Sequence, residues 1–324
     1  MTLSDGYPDE YAALTSGCGL ADLSWRGRLE ILGADRLRFL NAYLTCDVKS
    51  LVAGEGAYGF FTSAQGRVLS DAVVLAHADR LWVEVAADRE EEIAKHLRKY
   101  VLADRVEVRP LGDMLPLALI GPRAGELLGP DLPAAAWQHA RRRVLGTEVT
   151  LQKRGLLGAP AHALWVSASI APMLRAELRA AGAVEAGFDA LEALRAEAGI
   201  PRCGQDFGPE TFPQETGLDA AVSYTKGCYL GQEVVARIHY RGGVQRAMRR
   251  LVFSAGEPPR PGAALLYEGR EAGTATTVVV SPASGRTIGL GLVHKRAAEP
   301  GTRLDVEGEG GATAEVAPSL SSTP

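Results

Sequence analysis

The chain changes character near Arg250, and that break constrains the fold more than any other feature. Upstream, helical and strand periodicities alternate. "RLEIL" (28–32) reads as a strand, and "GADRLRFLNAYL" (33–44) reads as a helix with Leu37, Leu40 and Leu44 on one face. "RVLSDAVVLA" and "RLWVEVAA" form a strand pair around "HADR". "DREEEIAKHLRKYVL" is a helix for which Asp88 and Glu91 make a capping box, and "DRVEVRPL" and "LPLALIG" are strands. "APMLRAELRAAG" (171–182) and "DALEALRAEAGIP" (189–201) are helices; Asp189 and Glu192 cap the second, and Gly199 and Pro201 end it. Downstream, "RLVFSA", "AALLYEGREAGTATTVVVSP" and "RTIGLGLVHK" are short strands between Gly/Pro-rich turns, the pattern of a small β-barrel or sandwich. The chain is therefore expected to be α+β over 1–245, with a β-barrel over 246–324 whose tail, "EGEGGATAEVAPSLSSTP", frays at its ends.

Composition excludes several classes. With 324 residues the chain is long enough for two or three domains and a core without staples. A net charge of −4 gives no general attraction to nucleic acid or anionic membrane, so direct nucleic-acid binding is not expected. No apolar run approaches the roughly 20 residues of a membrane span. "MTLSDGYPDEYAAL" lacks the basic and apolar regions of a signal peptide. The four cysteines are widely spaced and form no C-x-x-C pair, so neither a disulfide scaffold nor a zinc ribbon is signalled, no metal ligands are assigned, and the expected home is a reducing cytoplasm.

Three residues break local rules. Asp71 shares a strand face with Leu69, Val73 and Leu75, so its carboxylate must be hydrogen-bonded, paired or turned to a cavity. The plain alternative is a partnered structural Asp. Glu197 sits in the last turn of its helix, where a negative charge opposes the dipole; it either pairs with Arg195 or Arg202 or faces a ligand with adjacent N–H donors. Cys228, in "YTKGCYLGQEVVAR", lies before a helix-like run with Lys226 two residues away, features that favour a thiolate, and Gly227 and Gly231 suit close backbone approach to a ligand. A packed, inert thiol is the alternative. Beyond it Arg237, Arg241, Arg246, Arg249 and Arg250 make a locally basic run, either a solvated face or a site for a small polyanion.

"KGCYLGQE" resembles the signature of the YgfZ-type folate-binding proteins, a branch related to the glycine-cleavage T-protein (aminomethyltransferase) family. "LRAEAGIPRCGQD", "FPQETGLDAAVSYTKGCYLGQEVVARIHYRGGVQRAM", "ILGADRLRFLNAYLTCDV", "GEGAYGFFTSAQGRVLSDAVVL" and "LRKYVLADRVEV" are similar to that family too, from about Leu20 to the barrel. The resemblance implies a three-lobed, ring-like α+β fold with a ferredoxin-like element, two lobes over 1–245, and a central channel for tetrahydrofolate. It makes Glu197, at the R-x-E-x-G position, a pterin anchor, and Asp71 the group that positions the folate nitrogen. Cys228 is expected to line the same channel as a reactive or transiently ligating thiol, with Lys226 tuning it and Arg237 meeting the folate tail.

Two departures argue against glycine cleavage itself. T-proteins carry an acidic pair where this chain has Ser70-Asp71, and two glycines where it has Gly66-Arg67. The resemblance thus implies a tetrahydrofolate-binding accessory protein that supports iron–sulfur clusters in client enzymes, including tRNA-modifying ones. The alternative is a folate-dependent aminomethyltransferase in which Asp71 orients the amine.

Overall fold

The computed structural model describes residues 7–308 and 311–318. Its chain path is interleaved. Strand Gly19–Asp22 starts a six-stranded sheet that is resumed only at Met114–Ile120; Ala161–Ser167, Thr147–Arg154 and His139–Val144 extend it on one side, and the two-residue strand Val184–Glu185 edges it on the other. Between those two visits the chain builds a five-stranded antiparallel sheet in the order Gly56–Thr62, Val68–Ala76, Arg80–Val85, Gly27–Leu32, Glu107–Pro110. From Arg246 six strands close a barrel, the last, Thr313–Val316, pairing with both Arg303–Val306 and Arg246–Phe253. The α+β fold with a C-terminal barrel is the one expected from the sequence.

Helices cover the outer faces. Arg36–Asn41 and Glu90–Arg98 press Phe39, Leu40, Ile93 and Leu97 onto the five-stranded sheet. Each such fully buried side chain contributes about 1.5–3 kcal/mol. Ala171–Ala180 seals one face of the six-stranded sheet, and Tyr7–Ser16 with Phe188–Glu197 seals the other. The two sheets meet through Leu75, Trp82, Ala163 and Trp165, with the indole rings 5.5 Å apart. Strand Val68–Ala76 is therefore covered on both sides, so almost every residue in it is buried. Among the described residues no helix is long and apolar enough to cross a membrane.

Two capping expectations are corrected. Asp88 has φ 58, in a left-handed turn, and the helix begins two residues later with Arg89 at the cap and no side-chain cap bond. Glu90, Glu91 and Glu92 instead crowd the first turn, where the helix dipole favours acids. The second helix starts at Phe188 after Gly187, and Glu192 turns away from the backbone to Arg195. The helix drawn over 33–44 is shorter, because Gly33 lies at φ 104 where a Cβ would meet Arg105 O at 1.9 Å. Thr313–Val316 lies inside the tail expected to fray at its ends; residues 309–310 and 319–324, which carry most of that expectation, lie outside the described residues, as do residues 1–6 of the segment read as lacking a signal peptide.

Candidate functional site

Asp71 pairs across to Phe60 in the five-stranded sheet and is 6 % exposed. Arg26, just before strand Gly27–Leu32, donates to its Oδ1 at 3.0 Å, and the Tyr58 hydroxyl donates to Oδ2 at 3.2 Å. Arg26 also contacts Glu84, which is wholly buried and bound by Arg154 of the six-stranded sheet. Acid and base alternate along Asp71–Arg26–Glu84–Arg154, so the network carries no net charge into the interior. Burial opposes the charge on Glu84, but Arg154 and Arg26 outweigh it and lower its pKa. Burial likewise works against Arg26, yet Asp71 and Glu84 raise its pKa. Burial and Asp71 push Tyr58 well above its ordinary value, which fixes it as a neutral donor.

Asp71, Arg26, Tyr58 and Arg154 line a cavity of about 70 Å3 that opens to solvent, with Glu84 sealed behind them. Tyr58 stacks on Trp137 at 5.5 Å and 17°, and the Arg154 guanidinium lies 5.8 Å from the Trp137 ring. Gly155 permits that approach; a Cβ there would sit 3.1 Å from the indole. The opposite part of the lining is Trp25, Phe188 and Leu191 with Pro201 and Arg202, whose guanidinium lies 4.8 Å from the Phe188 ring. Four buried donors on this lining make no hydrogen bond; Arg26 Nε and Arg202 Nε lie against Glu84 and Glu192 in ion pairs, which leaves Trp25 Nε1 and Arg154 Nε unmatched. Unmatched buried donors beside aromatic rings and a carboxylate suit a flat, polar-edged heterocycle. Arg195 ties this region to the barrel, bonding Glu192, Asp206 and Thr277.

The other sequence-selected residues lie elsewhere. Glu197 is outside the cavity lining and accepts from the Tyr11 and Ser281 hydroxyls, joining its helix to the N-terminal helix and the barrel. Cys228 is exposed and borders a second opening of about 520 Å3 with Arg38, Asp47, Lys49, Ser50 and Lys226; it shares no lining residue with the first. Lys226 points its ammonium at three backbone carbonyls, Asn41 O, Leu44 O and Cys46 O, each at 2.7 Å. Burial lowers its pKa to about 8. Arg237 ends helix Gln232–Arg237 and is exposed. Arg246 is paired with Glu215 and Arg249 bonds Ala298 O. Sequence reasoning missed Arg26, Tyr58, Trp137 and Arg154. A signal existed for their partner alone: Glu84 is an acid inside the apolar run "RLWVEV".

Taken together, fold and site define an α+β protein whose two sheets enclose a charged, aromatic cavity beside a C-terminal barrel. The GCVT N-terminal domain matches residues 2–226 and the glycine cleavage T-protein C-terminal barrel domain matches 246–320, and the chain belongs to that family. An aminomethyltransferase of Moorella thermoacetica is 30% identical over 310 residues, 92% of this chain and 84% of its own. One from Rubrobacter xylanophilus is 31% identical, covering 89% and 79%. A putative chloroplastic transferase of Arabidopsis thaliana is 28% identical over 91% of this chain and 69% of its own. The crystal structure of the glycine cleavage system aminomethyltransferase T from Bartonella henselae superposes with a TM-score of 0.89 at 23% identity, covering 98% of this chain and 90% of that one, and so shares the fold.

Proposed function

We propose that the chain is a cytoplasmic tetrahydrofolate-binding accessory protein of the YgfZ type, supporting iron–sulfur clusters in client enzymes through the Cys228 thiol. The observation that carries the folate reading is the cavity at Asp71: a carboxylate with acceptor capacity, unmatched Trp25 and Arg154 donors, and a Tyr58–Trp137 stack. A pterin has amino and ring N–H donors for the carboxylate and a carbonyl for the donors. Bound there, the folate supplies nitrogens that carry one-carbon units; Asp71 accepts, Arg26 orients Asp71, and Trp137 limits water at one face. Glu197 is the second carboxylate of this reading, and Arg237, exposed and in no ion pair among the described residues, is the cation offered to an anionic folate tail.

The accessory role rests on two further features. Ser70 stands beside Asp71 where an acid pair would be; it is wholly buried, its hydroxyl donating to Asp71 O at 2.8 Å and accepting from Ala86 N at 3.0 Å, so it has no proton to offer a substrate. Cys228 is exposed at a separate opening, within reach of a macromolecular client. The names of the relatives favour a second reading, aminomethyl transfer in which Asp71 orients the amine.

Titration with tetrahydrofolate, read by the fluorescence of Trp25 and Trp137, tests the site. Asp71→Asn should abolish saturable quenching; unaltered binding by that variant ends the Asp71 reading. Glu197→Ala separates a direct anchor from a helix–barrel tie, since a tie lowers stability at constant affinity. Cys228→Ala should fail to complement a strain lacking the protein while binding folate normally. Turnover with an aminomethyl-lipoyl carrier that depends on Asp71 would establish the second reading instead.

A further inference from the structure

The loop that carries Cys228 is held at several points. Tyr224, at its start, stacks on His239 at 3.7 Å and is met by the Gln214 amide. At its end Leu230 N donates to Ala42 O at 2.9 Å, and Thr62 Oγ1 donates to Leu230 O at 2.5 Å. Gly231 lies at φ 86, where a Cβ would meet Ser63 O at 2.4 Å, so the loop is pressed against the turn of the Asp71 hairpin. Between these points the Tyr229 ring is buried, Ser223 Oγ accepts from the Lys226 amide, and the Lys226 ammonium ties the loop to the Asn41–Cys46 segment.

The Lys226 contacts are specific. An ammonium has three hydrogens, and all three are used, on Asn41 O, Leu44 O and Cys46 O. Asn41 closes helix Arg36–Asn41, so one acceptor is an end carbonyl at the negative pole of that helix. The group is half-buried and, among the described residues, its charge is not shared with any carboxylate within ion-pair distance. It has no hydrogen left to donate to a sulfur.

We propose that Lys226 is a positioning residue: bound by three carbonyls, it fixes residues 225–231 in the conformation that presents the Cys228 sulfur to the outer opening, rather than activating the thiol. The inference rests on the reading that Cys228 is the functional thiol. It assigns the lysine of the K-G-C run a mechanical role, and it makes the three-carbonyl cradle a site that another ammonium ion fits once the side chain is removed.

Hydrogen exchange on the full chain tests this, with Lys226→Ala and the milder Lys226→Gln, which keeps two N–H donors on a shorter stem. The Leu230 amide should exchange at least about tenfold faster in Lys226→Ala, with amides of the barrel unchanged. Ammonium or methylammonium chloride should restore protection in Lys226→Ala, whereas tetramethylammonium, which has no N–H, should not. The pH profile of Cys228 alkylation by iodoacetamide should keep its shape in both variants. Unchanged exchange at Leu230 overturns the proposal, as does an alkylation profile displaced by about a unit or more with exchange unaltered, which would make Lys226 an activator. If Lys226→Ala does not fold, the same two outcomes are read from Lys226→Gln. Full complementation by Cys228→Ala would remove the functional thiol without touching the exchange result, so the two failures are distinguishable.

Discussion

Replacing Asp71 with Asn removes one negative charge from a buried network and leaves the shape almost unchanged. Arg26, 7 % exposed, then keeps Glu84 as its only acid, and Glu84 is shared with Arg154. At an effective dielectric of about 20, a pair of unit charges near 4 Å is worth about 4 kcal/mol, and breaking a buried pair costs about 3–5 kcal/mol. Because Glu84 retains part of the compensation, Asp71→Asn should lose about 3 kcal/mol, the low end of that range. Urea unfolding of Asp71→Asn, Arg26→Met and the double variant measures the pair. The double variant leaves Glu84 and Arg154 as a neutral couple, so it should cost less than the sum of the singles by about 2 kcal/mol. A single-variant loss below about 1 kcal/mol, together with additivity within about 0.5 kcal/mol, would refute the account of Arg26 as the charge that Asp71 neutralises.

Burial lowers His77 to about 4, with His139 beside it at 4.7 Å and Arg80 and Arg141 nearby. The unfolded chain titrates near 6.5, so it binds more protons than the folded chain between about 6.5 and 4; stability is full above that window and falls by up to about 3 kcal/mol as pH drops through it. His77→Leu should reduce the pH dependence of urea midpoints between about pH 6.5 and 4.5, the remainder coming from His96, His139 and His162, which burial also lowers. Arg195→Met leaves Asp206 and Glu192 short of a cation between the helix and the barrel, and should cost about 3 kcal/mol in the same assay. Gly231→Ala puts a Cβ against Ser63 O at positive φ, and should cost about 1–3 kcal/mol and speed exchange at Leu230.

The parts of this molecule that were legible in its sequence are those set by local pattern. Ile93 and Leu97 share a helix face, the "HADR" break turns one strand into the next, and the Gly/Pro spacing beyond Arg250 marks the barrel. Asp71 stood out because an acid at an apolar parity must find partners, and it has three: a guanidinium, a phenol and a cavity. What stayed hidden depends on long-range contact. Trp137 sits in a loop at φ 63 and meets Tyr58 only because two sheets face each other. Sequence alone leaves Glu197 open between an arginine pair and a ligand and sets Lys226 beside the Cys228 sulfur; a hydroxyl pair and three carbonyls, contributed by segments far away in the chain, are their neighbours. The capping boxes failed because helix starts shift by a residue or two with the preceding turn, and a shifted start takes the acid out of reach.

The interleaved path also sets an order of assembly on the ribosome. Strand Gly19–Asp22 pairs with Met114–Ile120, so it emerges about a hundred residues before its partner. At about 5–20 residues per second it waits on the order of 5–20 s. All five strands of the inserted sheet, from Gly27 to Pro110, leave the tunnel within that interval and can close their own core first. The nascent chain therefore has an apolar segment, "GLAD" with Leu14 behind it, that must be kept from wrong partners until the second visit to its sheet is translated.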